Sequence, residues 1–234
     1  MKHIPLLLFA FLVVLFSYSQ SNGLNEFSVP KGDDELSGVK DANGKIIVPA
    51  KFYSIRIIDD YILAVGLREV TYFDNKGKQI AKYCEIKPFI NEISIISTCV
   101  GTLGFDGLMN KQGKIILAPN KYHQIAEFNK YGLAEVTIFG KNDKISTGLV
   151  DTLGRVVAPC KYEQIDSRIG NGLIAFKTNG KWGYMNLKGQ EIIKAAYDTQ
   201  SPFKGGKATV FIKSPQLRQI IIDTTGKMIQ EVKY

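Results

Sequence analysis

Short apolar runs separated by tight polar turns recur along the chain, and no stretch sustains the 3.6-residue period of an amphipathic helix. The clearest copy runs from Lys181 to Asp198. It has an apolar strand around Trp182 and Tyr184, a turn from Asn186 to Gly189, a second strand at Ile192 and Ile193, and an aromatic, Tyr197. With the turn glycine as reference, the pattern returns at Gly44, Gly77, Gly113, Gly154, Gly189 and Gly226, at spacings of 33, 36, 41, 35 and 37 residues. Asp or Asn stands three residues earlier in every copy: Asp41, Asp74, Asn110, Asp151, Asn186 and Asp223. A basic or amide residue follows each glycine, from Lys45 to Lys227. Asp or Asn at the first turn position bonds the backbone ahead of it, and glycine supplies positive φ, so each copy predicts a type I turn closed by a glycine bulge.

A short apolar strand follows each turn and ends at Pro49, Pro119 and Pro159 in three copies. Eight residues after the glycine comes an aromatic, Phe52, Tyr162, Tyr197 or Tyr234; it is late by one at Tyr122 and early at Tyr83. Each unit then has a third strand, such as Gly132–Val136 or Gly172–Phe176. One such unit cannot bury its own apolar face, so neighbouring units must cover it. The expected fold is all-β: six units of about 36 residues, with almost no helix. The preferred arrangement is a six-bladed β-propeller closed by both termini. Copy six stops at Tyr234 without its third strand, and residues 21–35, with Glu26–Pro30, are expected to supply one by pairing near Ile220–Asp223. An open β-hairpin solenoid is the alternative.

Lys181-Trp182-Gly183-Tyr184, with Asn186, Gly189, Ile192, Ile193 and Tyr197, resembles the bacterial WG (KWG) repeat, and the resemblance covers residues 36–234. Only this copy keeps the Trp-Gly pair. Gly38, Gly107 and Gly148 keep the glycine, whereas Thr71 and Ile220 replace it. The resemblance implies a secreted or surface β-repeat module and brings no catalytic motif.

The first twenty residues stand apart. Ile4–Phe16 is a nearly unbroken apolar run after Lys2 and His3, followed by small polar residues. This is the layout of a signal peptide and is short for a membrane span, so residues 1–20 are expected to be removed and the protein exported to the periplasm, cell surface or medium. The remaining chain carries 29 basic and 22 acidic residues, a net charge of 29 − 22 = +7. Its basic residues are scattered, with Lys204, Lys207, Lys213 and Arg218 the densest group, and no nucleic-acid partner or stable membrane insertion is expected. A monomer is expected. Cys84 and Cys99 flank a hairpin centred near Asn91 and would lie opposite each other; three buried thiols, with Cys160, is the preferred reading.

Little chemistry stands out. His123 is the single histidine left after the leader and follows an aromatic anchor, a surface or half-buried place. The Asp/Asn-x-x-Gly turns each offer one oxygen-bearing side chain, too few for calcium. The acids Asp33, Asp34 and Glu35, and Asp59 with Asp60, read as solvated loops. Trp182 could stack on a sugar but is placed in the core. No catalytic, cofactor-binding or metal-binding residue is assigned. The expected function is that of a non-enzymatic exported scaffold holding a protein or surface-glycan partner through its loops. The alternative is a glycan or cell-wall hydrolase with a site on one ring face.

Overall fold

The computed structural model describes residues 23–99, 104–141 and 144–233, so the expected leader and Tyr234 lie outside the described residues. Among these residues there are six antiparallel sheets and no helix. Sheet 1 is β1 (Asn25–Lys31), β2 (Asp34–Lys40) and β3 (Ile46–Phe52); sheet 2 is β4 (Ser54–Ile58), β5 (Tyr61–Val65), β6 (Val70–Asp74) and β7 (Gln79–Tyr83). Sheet 3 is β8 (Glu85–Ile86), β9 (Ile93–Ser97), β10 (Asp106–Asn110) and β11 (Ile115–Tyr122); sheet 4 is β12 (Gln124–Ile125), β13 (Leu133–Phe139), β14 (Ile145–Asp151) and β15 (Val156–Tyr162). Sheet 5 is β16 (Gln164–Gly170), β17 (Leu173–Thr178), β18 (Lys181–Asn186) and β19 (Glu191–Tyr197); sheet 6 is β20 (Lys207–Ile212), β21 (Arg218–Asp223) and β22 (Met228–Lys233).

The six turns form as the spacing requires. Gly44, Gly77, Gly113, Gly154, Gly189 and Gly226 have φ between +72° and +85°. Each glycine N–H donates to the carbonyl three residues earlier at 2.9–3.1 Å. Asp41 Oδ1 accepts from the N–H groups of Asn43 and Lys45, both at 2.9 Å, and Asp74, Asp151, Asn186 and Asp223 repeat the pair of bonds.

The glycine of the Trp-Gly pair has a separate cause. Trp182 pairs with Tyr197 and Tyr184 with Ile193, so one residue, Gly183, faces a loop of three in β19. That wide bulge drives the partner strand onto Gly183, where a Cβ would lie 2.5 Å from Ile193 O. Gly38, Gly107 and Gly148 sit under the same bulge, with backbone atoms at 2.4–2.7 Å. Where Thr71 or Ile220 replaces the glycine, the ladder runs on there without a bulge, Thr71 to Lys82 and Ile220 to Glu231. The drifting aromatic follows from this. The residue across from the Trp182 position is reached in six steps from the glycine without a bulge (Gly77 to Tyr83) and in eight with it (Gly154 to Tyr162). It takes nine in sheet 3, where Leu108–Asp106 faces Leu117–Tyr122, one residue more again. In sheet 6 the equivalent residue is Val232, opposite Gln219, not Tyr234. Pro49, Pro119 and Pro159 do not end their strands as expected. They lie inside the bulge, where no ladder bond is lost, and the strands run on to the aromatic.

Each third strand of a unit pairs forward. β17 meets β18 through the two-residue turn Asn179-Gly180, both at positive φ, the favoured hairpin geometry. The third strand therefore belongs to the next sheet. By the same rule β1 pairs with β2, from Asn25↔Lys40 to Lys31↔Asp34, and completes sheet 1. This corrects the expected closure: the N-terminal strand is not shared with copy six, whose own first strand is β20.

Successive residues of the inner strands face opposite neighbours, which is why they read as continuous apolar runs. Ile174 and Phe176 pack with sheet 4, whereas Leu173 and Ala175 pack with sheet 6. Five core clusters fill the five seams between consecutive sheets, and among the described residues none joins sheet 6 to sheet 1. The residue before the turn, which faces the preceding sheet, is buried as Phe73, Met109, Val150, Met185 and Ile222. In sheet 1 it is Lys40, exposed, with its ammonium 5.9 Å from the Phe27 ring. At the other end Lys207 and Thr209 occupy the places of Leu173 and Ala175. Turn glycines 77, 113, 154, 189 and 226 approach the preceding sheet, a Cβ on Gly77 meeting Ile47 O and one on Gly226 meeting Ile193, whereas one on Gly44 would meet nothing within 4 Å. Among the described residues the seams thus join the six sheets in series, with Lys40 in the first sheet and Lys207 in the last where inner sheets bury apolar side chains.

Candidate functional site

The seam between sheets 4 and 5 differs from the others. In the row one strand inward from the turn, Leu63, Ile95 and Ala175 face the following sheet and are buried. Sheet 4 places Glu135 there, paired with Leu149 on the face that carries Leu133. A groove opens around it. Its more enclosed part, about 240 Å³, has Leu133, Leu149, Ile165 and Ile174 as its apolar wall, with Glu135, Gln124 and Thr137 beside them. A wider part, about 700 Å³, continues past Thr147, Asp166, Arg168, Trp182 and Gln200.

Two of the carboxylates in this groove, Glu135 and Asp166, are shifted in opposite directions. Burial, and then the charge of Asp166, push Glu135 above the usual carboxylate range. Among the described residues no ion pair or hydrogen bond reaches the Glu135 carboxylate. Asp166 is also pushed up by burial, but hydrogen bonds from Arg168 and Gln200 outweigh this and hold it low. Arg168 Nε donates to both Asp166 oxygens at 2.9 and 3.1 Å, and its backbone N–H donates at 3.0 Å. The Gln200 amide donates to the same carboxylate, while its Oε1 is buried without a hydrogen bond.

Residues singled out from the sequence fall mostly elsewhere. His123 accepts the Phe139 N–H at Nδ1 (3.2 Å) and lies between the rings of Phe105 and Phe139, at 4.7 and 4.9 Å. Asp33 lies in the β1–β2 turn and Asp34 opens β2, and Asp60, at the β4–β5 turn, pairs with Lys111 at 3.4 Å, so neither acidic group reaches the groove. Trp182 packs against the cluster between sheets 5 and 6, as expected of a core residue, but also lines the groove, with the Lys177 ammonium 5.9 Å from its ring. The three-thiol reading is overturned: Cys84 and Cys99 form a disulfide with Cα atoms 5.3 Å apart. The β8–β9 pairing of Glu85 with Ser97 brings them together around the predicted turn, where Asn91 and Glu92 have positive φ. Cys160 is free, and burial pushes its thiol up. Glu135, Asp166 and Gln200 were not singled out. For Glu135 the signal was available: a charged residue inside a strand that is apolar apart from Thr137.

Among the described residues no group of three or more His, Cys, Asp or Glu side chains could hold a metal ion, and no helix is long and apolar enough to cross a membrane.

No curated protein matches the chain in sequence. Among solved structures, a eukaryotic initiation factor is 11% identical over 91% of this chain with a TM-score of 0.44, and the chain spans 64% of its length. BamB from Moraxella catarrhalis is 11% identical over 91% of this chain and 74% of its own, TM-score 0.32. AztD from Citrobacter koseri is 12% identical over 93% and 73%, TM-score 0.37. The family model of the WG containing repeat matches residues 107–141, 148–182 and 182–213. The first two matches begin at Gly107 and Gly148 and the third at Trp182, so they coincide with three of the four units that keep the glycine under the wide bulge. The unit defined by the turn and bulge is therefore the WG repeat, and the chain is a WG repeat-containing protein.

Proposed function

We propose that the protein is an exported, non-enzymatic scaffold that holds a protein or glycan partner in the groove between sheets 4 and 5. The observation that carries this is Glu135: a carboxylate stands where the other inner sheets place Leu63, Ile95 and Ala175, and space opens beside it instead of a filled seam. Charged groups at a core position cost stability and are retained where they serve a site. The Cys84–Cys99 disulfide supports an oxidising compartment. The contact surface in this reading is the groove wall rather than the inter-repeat loops alone.

The test is to probe arrays of wall fragments, surface glycans and envelope-protein peptides with the chain and with Gln124→Trp, which narrows the groove. At least one ligand should bind the chain and be lost in the variant; arrays that bind both equally would overturn the reading. A second reading, glycan hydrolysis, is favoured by one observation. A carboxyl held towards its protonated form shares the groove with an ionised one, the division of roles a glycosidase uses. Release of reducing ends from wall glycans, abolished in Glu135→Gln, would support it; no turnover across the panel would reject it.

A further inference from the structure

Resting on the reading of the groove as a binding site, we propose that it recognises a primary ammonium group on an apolar stem, such as a lysine side chain of a partner or a free alkylamine. Three features converge on this chemistry. The first is charge: Glu135 carries a carboxylate that no cation of the described chain meets. Arg168, the cation lining the same groove, is tied to Asp166 by its side chain and backbone. Asp166 keeps its charge and adds to the field that draws a cation inward.

The second feature is shape. Leu133, Leu149, Ile165 and Ile174 flank Glu135, so the carboxylate is reached along an apolar wall. A methylene stem leaves water for that wall and gains from its burial, while a small, strongly hydrated cation without a stem gains nothing from it. The third is the leftover acceptor. Gln200 lines the same groove, and its buried Oε1 has an unused lone pair that a side-chain shift of Gln200 would bring to an N–H donor of a protonated ligand.

Ionised Glu135 is the form that binds, so an ammonium ligand should release a proton from it on binding near its raised titration range. The charged groups facing this part of the groove are Glu127, Glu163, Asp166 and Arg168. Of these Asp166 acts on Glu135 directly and remains ionised at mildly acidic pH.

Trp182, the sole tryptophan, lines the groove and provides a fluorescence reporter. The purified chain should be titrated with hexylammonium, methylammonium and hexanol at pH 8 and pH 4. Hexylammonium is expected to bind at pH 8, at least about tenfold more tightly than either control, and to bind more weakly at pH 4, where Glu135 takes up a proton. Glu135→Gln should lose that binding without lowering the unfolding midpoint. Equal binding of hexanol and hexylammonium, or undiminished binding by Glu135→Gln, would overturn the proposal. Competition by Nα-acetyl-lysine amide and by a free polyamine separates the two sources of the group. Array ligands that Gln124→Trp abolishes but hexylammonium and Glu135→Gln leave untouched would reject the ammonium and keep the groove. Array ligands insensitive to Gln124→Trp would reject the groove itself.

Discussion

Glu135 sets the chemistry of its seam and also weakens it. Its folded-state affinity for a proton exceeds that of an exposed glutamate, so ionisation costs the native state more than the unfolded chain. That cost is absent below the unfolded pKa of roughly 4.3 and grows as pH rises through the higher folded value. Asp151, Asp166, Glu191, Asp198 and Asp223 have the opposite sign: each is held low, and the stability it contributes is lost as pH falls through its folded value. Glu135→Leu restores the residue that Leu63 supplies in sheet 2. It should raise stability at pH 7 by on the order of 1 kcal/mol, and the gain should shrink on acidification to pH 4. Denaturant unfolding at both pH values measures it. A loss of stability at pH 7 would mean that the groove is too polar to close over an apolar side chain.

At the scale of the element, turn glycines do two jobs that can be separated. All six hold positive φ, a conformation that costs a side chain about 1 kcal/mol or somewhat more. Only five also approach the preceding sheet. Gly44→Ala should cost about 1 kcal/mol, because its Cβ meets nothing within 4 Å. Gly189→Ala should cost at least about 2 kcal/mol more, because its Cβ would fall 1.9 Å from Val157 O. Equal midpoint shifts would show that the turns do not dock. The turn itself was legible in the sequence because its determinants, Asp151 and Gly154 for example, are neighbours along the chain. So were the strands and the aromatic anchors, with Tyr162 buried as expected. The bulge was visible only as a drift of the aromatic from Tyr83 to Tyr122, since its cause is the facing strand. The pairing of β1 was misread for a related reason. Periodicity locates a strand but does not say whether it pairs forward or backward; the short Asn179-Gly180 turn decided that. The groove was hidden because it joins Glu135 to Asp166 and Gln200, residues whose approach depends on how two sheets face each other.

For the whole molecule, seams between consecutive sheets make stability a sum of sheets and seams. A chain ending at Asp198 loses sheet 6 and the cluster of Ala208, Val210, Ile220 and Ile222 against Leu173 and Tyr184. Amide exchange should then rise in sheet 5 while sheets 1 to 4 keep their protection. In a ring, sheet 1 would lose a neighbour as well, so faster exchange along β2 would show that the ends do meet. Lys40 and Lys207 fit the open arrangement, since each stands where an inner sheet buries an apolar side chain.

The bare approach of the Gly44 turn has a consequence for how such a chain changes in evolution. A ring has a fixed circumference: adding a blade alters every angle between blades, and the whole must refit. Here each turn reads only the sheet before it, and the first reads none. Duplicating the stretch from Gln164 to Tyr197 would add one sheet and one seam of a kind the fold already makes, and move the polar end outward without disturbing its chemistry. In sheets joined this way repeat number can change by recombination, while the first and last sheets, with Lys40 and Lys207, carry polar side chains where an inner copy buries apolar ones.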